Sequence, residues 1–533
     1  MTVELVSCCY ERGNFSFPLG ALCVQEALRQ AGIPSHLSNC YLSDDPRKAA
    51  SRISADVVGI SVYLWNRSWF DQFVTALKKR NPQVILFAGG TEVTANPMSF
   101  DLSLYRFLIL GEGEESVPRA LMAIKEGREI PTGGGIATKG SLLIPGCPEH
   151  LEELSSVLLS HTADPFLKQS DTVLWELTRG CPYHCAFCFE SKGVRSVRHY
   201  PMDRIKAELD YLASHHVHNV FVLDPTFNMD KKRTKEMLSL LVDKAPDIHF
   251  TFENRAELLD EEMVRLYGQL DCSLQLGMQS SDPVVLKAID RAANMTAFEN
   301  GVRMLAKEGV SFGLDVIIGL PGDTLEGFFH SLDYAISLKP NNIDLFLLSL
   351  LPGTTLADRA DRLGLRHQEQ NPYLLIESPT FPKEDIATAL SVKTAVDLFY
   401  TKGQAYQWFP LLEEAGGMKA HQLMLDFATF LTTQHPEETD VYELQDRFVK
   451  KVLKRQGKTS FLPALTSYME LYQGIAFLLE TGESPIVQLQ YDPNDLTKLE
   501  QMPLSQFTKE VKRRPCTLSI IRERDGSVGF LVP

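Results

Sequence analysis

The sequence predicts an α/β protein of three units: a doubly wound domain at residues 1–130, an incomplete (β/α)6 barrel at 171–360 and a mainly helical domain at 361–533. Three observations lead there. A length of 533 residues exceeds what one hydrophobic core serves, with two units as the alternative count. Short runs rich in Val, Ile and Leu alternate with amphipathic stretches in two separate blocks. Beyond the second block the alternation gives way to long helical periodicity.

The first block reads VELVSC (3–8), a helix from Leu19 to Ala31, DVVGISVYL (56–64), a helix through FDQFVTALKKR (70–80), VILFAGG (84–90) and RFLILGEGE (106–114). Continuous apolar runs ending in Gly or Ser, spaced by helices, mark strands buried on both faces of a parallel sheet. Residues 131–170, with PTGGGIATKG and the prolines of IPGCPEH, read as a linker or hairpin region; no Lys-Ser/Thr follows the glycines as a P-loop requires.

The second block counts six strand candidates: 172–180, 220–227, 248–256, 273–280, 312–320 and 343–351, separated by helical stretches such as 204–216, 261–270 and 298–309. Six β-α units with right-handed crossovers give an open sheet or an incomplete barrel. The third unit carries helices at 386–400, 419–431, 442–455 and 461–480, then a strand-like tail with an Asp525-Gly526 hairpin turn. Its Tyr400, Tyr406, Trp408 and His421 fit a pocket lining or a helical core equally well.

Composition is that of a globular protein, 44% hydrophobic and 23% charged, which argues against disorder. The net charge of −15 opposes large nucleic-acid partners and anionic membranes. No apolar stretch reaches roughly 18 residues, and MTVELVSCCYERG lacks the basic start and apolar run of a signal peptide, so the expected location is the cytoplasm. Ten cysteines under reducing conditions are better read as ligands or core residues than as disulfides.

Three of them stand together in RGCPYHCAFCFE: Cys181, Cys185 and Cys188, spaced CxxxCxxC after the first strand of the second block. Structural zinc takes four ligands, for which His184 and His199 are awkwardly placed. A redox CxxC would leave Cys181 idle. A four-iron four-sulfur cluster held by three thiolates keeps one iron open to bind something.

This motif, with Phe187 before its last cysteine and its place in a β-α repeat, resembles that of the radical S-adenosylmethionine (SAM) enzymes. The resemblance implies a 4Fe–4S cluster on Cys181, Cys185 and Cys188 whose free iron chelates the amino and carboxylate groups of SAM. It implies SAM contacts at the later strand ends: Asp224 and Thr226 toward the methionine amino group, Glu253 toward ribose or amine, and Gln279 and Arg291 toward ribose and carboxylate. It also implies Asp315 toward ribose and Gly319 on the adenine side. Asp224-Pro-Thr226 stands where many members carry a Gly-Gly-Glu-like turn.

The first domain resembles the Rossmann-like cobalamin-binding domain of one large branch of these enzymes. Ser61 and Gly89-Gly90 match its serine and double-glycine motifs, and Gly111-Glu112-Gly113-Glu114 a loop of its fifth strand; position 63 is Tyr rather than Leu. Residues 8–20 contain no histidine, so the resemblance implies base-off cobalamin with the lower face left to water or to Trp65, Asn66 or Arg67. A domain that binds nothing, or a nucleotide, is the alternative; no GxGxxG follows the first strand, which disfavours a dinucleotide.

Together the two resemblances imply that a 5′-deoxyadenosyl radical activates a carbon of a small-molecule substrate and that methylcobalamin methylates it, with electrons from a donor such as flavodoxin or ferredoxin. The partial barrel would be TIM-like. The alternatives are a cyclase or ring-rearrangement enzyme with the same cofactors, and a non-catalytic metal- or cluster-binding sensor.

Overall fold

The computed structural model describes residues 1–13, 16–190, 196–437, 439–523 and 527–531. By internal packing the chain divides into two compact units, one of Met1–Gln275, Leu286–Val310 and Leu348–Pro379, the other of Leu276–Val285, Ser311–Leu347 and Thr380–Pro533.

The first unit opens with the strands β1 (Val3–Cys9), β2 (Ser35–Tyr41), β3 (Val57–Ser61), β4 (Ile85–Gly89), β5 (Phe107–Ile109) and β6 (Ile136–Ala137), in the order β2-β1-β3-β4-β5-β6. The first five are parallel, and the unbroken apolar runs of β1, β3, β4 and β5 predict it. The helix Arg67–Arg80 buries Trp69, Phe70, Phe73, Val74 and Leu77, the stripe expected of a helix lying on a sheet.

Two features depart from the expectation. SHLSNCY was not predicted as a strand because it is half polar; it is the sheet edge, aligned with β1 from Val3↔Ser35 to Cys9↔Tyr41, where backbone pairing rather than apolar content holds it. Within the region read as a linker or hairpin, Ile136 and Ala137 add an antiparallel sixth strand to β5.

A second sheet follows chain order, β14-β13-β12-β11-β10-β7. Its strands are β7 (Thr172–Trp175), β10 (Asn219–Val222), β11 (His249–Asn254), β12 (Cys272–Gln279), β13 (Ser311–Ile318) and β14 (Asn342–Leu347). The pairings β7·β10, β10·β11 and β13·β14 are parallel, the arrangement expected of six β-α repeats. Between β7 and β10 lies a separate two-stranded piece, β8 (Thr178–Arg179) with β9 (Arg198–His199), antiparallel.

In the second unit the helices Lys383–Val396, Ala420–Leu431, Val441–Arg455 and Leu462–Thr481 match the predicted stretches. Asp440 caps the third, accepting from the N–H groups of Tyr442 and Glu443. Tyr400, Trp408 and Phe409 are fully buried in a helical core with Phe399, Phe427 and Phe448. His421 stacks on Phe329 and bonds Asp333 at 2.8 Å. The tail forms β18 (Cys516–Arg522) and β19 (Val528–Leu531) of a small sheet; the Asp525-Gly526 turn lies outside the described residues. Among the described residues no helix is long and apolar enough to cross a membrane.

Candidate active site

The CxxxCxxC segment hangs from the antiparallel stem β8/β9. Gly180, with φ of +92°, leads from Arg179 into Cys181; a side chain there would strike the Ser196 carbonyl at 2.7 Å. Inside the loop the Cys188 N–H donates to the Cys185 carbonyl at 3.1 Å. Ala186 fixes the loop from both sides, its N–H donating to Ile289 O and its carbonyl accepting from Leu356 N–H, each at 2.8 Å.

The three cysteines are free thiols and half-buried, as is Phe187. Burial raises the pKa of Cys181 and takes that of Cys188 to about 12, so a thiolate at either needs a cation beside it. Two predicted residues stand at these sulfurs: Thr226 Oγ1 is 3.9 Å from Cys181 Sγ and Arg291 Nη1 is 3.9 Å from Cys185 Sγ. Glu253 is exposed near the end of β11.

Asp224 departs from its predicted role. Its carboxylate is buried and turned to the backbone, Oδ1 accepting from both the Leu177 and Thr178 N–H groups at 2.9 Å, which braces the entry to the cysteine loop. In the second unit, Gln279 ends β12 in a left-handed conformation with φ of +69°. Asp315 on β13 lies in register with Asp344 of β14, and Gly319 begins the following turn with φ of +84°.

The first unit also holds a cavity of about 1050 Å³. It exceeds the roughly 300–1,000 Å³ usual for ligand sites, which suits a large cofactor. Ser61, Gly89, Gly90, Gly111 and Glu112 of the matched motifs line it, with Tyr63 and with Trp65 of the lower-face candidates, and no histidine is among the described lining residues. Tyr63 and Trp65 are stacked, ring centroids 4.5 Å apart. The glycines answer to backbone packing: a side chain on Gly90 would meet the Val62 carbonyl at 2.4 Å, and one on Gly111 the Gly146 carbonyl at 2.2 Å.

Asn66 and Arg67, proposed for the lower face, do not line the cavity. Asn66 is fully buried, donating to Cys8 O and Ser61 O and accepting from the Tyr63 N–H, so it locks the turn that presents Tyr63 and Trp65. Arg67 pairs with Asp71 and donates to Ser99.

The opposite wall comes from the β7/β8 region and the cysteine loop: Leu174, Glu176, Thr178, Arg179, Gly180 and Phe189. Here sits an ion network that sequence reading missed. Arg179 donates to Glu112 at 2.6 Å, Glu114 at 2.7 Å and Glu176 at 2.9 Å, and Arg198 also grips Glu112. Burial works against the Glu112 carboxylate, but Arg198 and Arg179 outweigh it and its pKa is lowered; burial dominates at Glu176, which is raised. The available signal was two arginines bracketing the cysteine motif in an acidic chain.

The family model for the B12 binding domain matches residues 9–121, and that for the radical SAM superfamily matches residues 175–335. The chain carries a B12 binding domain followed by a radical SAM domain. Its cofactors are accordingly cobalamin, a 4Fe–4S cluster and SAM. The 2-(S-pantetheinyl)-carbapenam-3-carboxylate methyltransferase of Streptantibioticus cattleyicolor is 26% identical over 376 residues, which are 65% of this chain and 55% of that protein. The cobalamin-dependent radical SAM methyltransferase TokK of Streptomyces tokunonensis is 24% identical, over 63% of this chain and 53% of its own. The chain thus spans about half the length of these curated relatives.

Among solved structures, the cobalamin-dependent radical SAM enzyme OxsB with aqua-cobalamin bound superposes with a TM-score of 0.61 at 12% identity, covering 96% of this chain and 84% of that one. TsrM from Kitasatospora setae gives 0.56 at 17%, covering 70% and 79%. These likenesses bear on the fold. The residues present fit both groups: three unbridged thiols share one anchored loop, and the cavity is lined by glycines at strand ends and by Gly180 and Phe189 of that segment.

Proposed function

We propose that this protein is a cobalamin-dependent radical SAM enzyme that methylates an unactivated carbon of a small molecule. The observation that carries the proposal is a cavity lined both by the strand ends of the B12 domain and by Gly180 and Phe189 of the cysteine-bearing segment, so that a corrinoid there would adjoin the cluster loop. Two curated relatives named as methyltransferases support the same direction.

When bound, the cluster with SAM would supply a 5′-deoxyadenosyl radical and the corrinoid a methyl group. The chain's own residues hold and orient. Cys181, Cys185 and Cys188 are the thiolates for three irons, and Arg291 is the positive group for the SAM carboxylate. By the sequence resemblance, Glu253, Gln279 and Asp315 would contact its amine and ribose, Thr226 would stand near the cluster thiolates, and Gly319 would serve the adenine side. Ser61, Gly89, Gly90 and Gly111 border the corrinoid, and the Tyr63–Trp65 stack is its apolar neighbour. A flavodoxin or ferredoxin would supply electrons.

Anaerobic reconstitution with iron, sulfide and cobalamin tests this. The expected result is iron–sulfur and corrinoid absorption together, SAM cleavage to 5′-deoxyadenosine under reductant, and a product heavier by one methylene. Iron–sulfur protein that leaves SAM intact overturns the proposal.

A further inference from the structure

Arg179 and Arg198 face one another across the β8/β9 stem, in register, at the two ends of the segment that contains all three cluster thiols. Two guanidiniums so placed repel unless anions separate them. The carboxylate between them is Glu112, which accepts from Arg179 Nη1 at 2.6 Å and from both terminal nitrogens of Arg198. Glu112 belongs to the GEGE loop after β5, which lines the cavity, and Glu114 of the same loop accepts from Arg179 Nη2 while Glu176 accepts from Nε. Buried bidentate pairs of this kind fix geometry more than they add stability.

We infer that Glu112 is a positioning residue that sets the cysteine-bearing segment at a fixed place beside the B12-domain cavity by gripping both strands of its stem. The inference rests on the proposed function only for its consequence, the spacing of the two cofactors; the clamp itself is a property of the bare chain.

The test uses full-length protein carrying Glu112→Gln, Arg198→Gln, the double substitution and the milder Arg198→Lys. In cofactor-free protein, hydrogen exchange of amides in residues 177–190 should speed up at least fivefold in both single variants, and the double variant should add little to either. In protein loaded with Co(II) cobalamin and reduced cluster, pulsed EPR should show a broadened cobalt–cluster distance distribution. Arg198→Lys should give intermediate values and keeps the test open if a glutamine variant fails to fold. Unchanged exchange in the hairpin overturns the clamp, as does a distance distribution as sharp as that of wild type. Failure to load cofactor at all counts against the proposed function and leaves the exchange result standing.

Discussion

Asp224 and Thr178 are joined by a 2.9 Å hydrogen bond from the Thr178 N–H to a carboxylate oxygen that also accepts from the Leu177 N–H. The pair ties the end of one barrel strand to the start of the cysteine hairpin. Burial, only partly offset by these bonds, raises the Asp224 pKa from 3.8 to about 6. A carboxyl raised on folding stabilises fully below pH 3.8, and that contribution is lost as pH rises through about 6. Asp224→Asn keeps an oxygen that can accept both bonds, so its melting temperature relative to wild type should rise across this window. Asp224→Ala leaves two buried donors bare and should cost about 2–4 kcal/mol in urea titrations below pH 4, and less as pH rises through about 6.

Cys185→Ala removes one of three thiolates from a loop whose backbone is held independently through Ala186. Iron and sulfide per chain after reconstitution should fall to background and 5′-deoxyadenosine should vanish. Cobalamin uptake, read from corrinoid absorbance, should persist because Cys185 does not line the cavity.

Trp65 stacks on Tyr63 at the cavity wall and is half exposed. Trp65→Ala should weaken cobalamin binding about three- to tenfold, the equivalent of ~0.5–1.5 kcal/mol for an aromatic contact. Isothermal titration of cobalamin checks it; an unchanged Kd would place the corrinoid away from this stack.

Gln445 is fully buried and closes the helical core: its Nε2 donates to Phe399 O at 2.7 Å and Gly403 O at 2.9 Å, the carbonyls around a wide helical turn, while its Oε1 accepts from Gln473. Gln445→Leu should destabilise by about 2–4 kcal/mol by leaving acceptors dry, measured as a lowered thermal midpoint with SAM cleavage unaffected at low temperature.

Legibility followed the physics of each element. Strands buried on both faces announce themselves as Val/Ile runs, which is why β3, β4 and β13 stood out, whereas the half-polar edge strand Ser35–Tyr41 did not. The three cysteines and the glycine pairs stood out because their spacing is the kind a ligand or a close backbone approach dictates. Asn66 and Asp224 misled because a polar residue at a strand end serves a ligand or a neighbouring backbone equally well, and only the fold tells which. The Arg179–Glu112 network was invisible because its partners lie far apart in the chain.

The closed aromatic core around Phe399 has a practical bearing on redesign. Its rings are sealed by one another, so diversifying Tyr400, Trp408 or Phe409 to change which compounds are accepted would produce insoluble variants long before new specificity. Libraries aimed at altered acceptance belong instead on the loops at the carboxyl ends of the parallel strands, where side chains answer to a guest molecule and not to the fold.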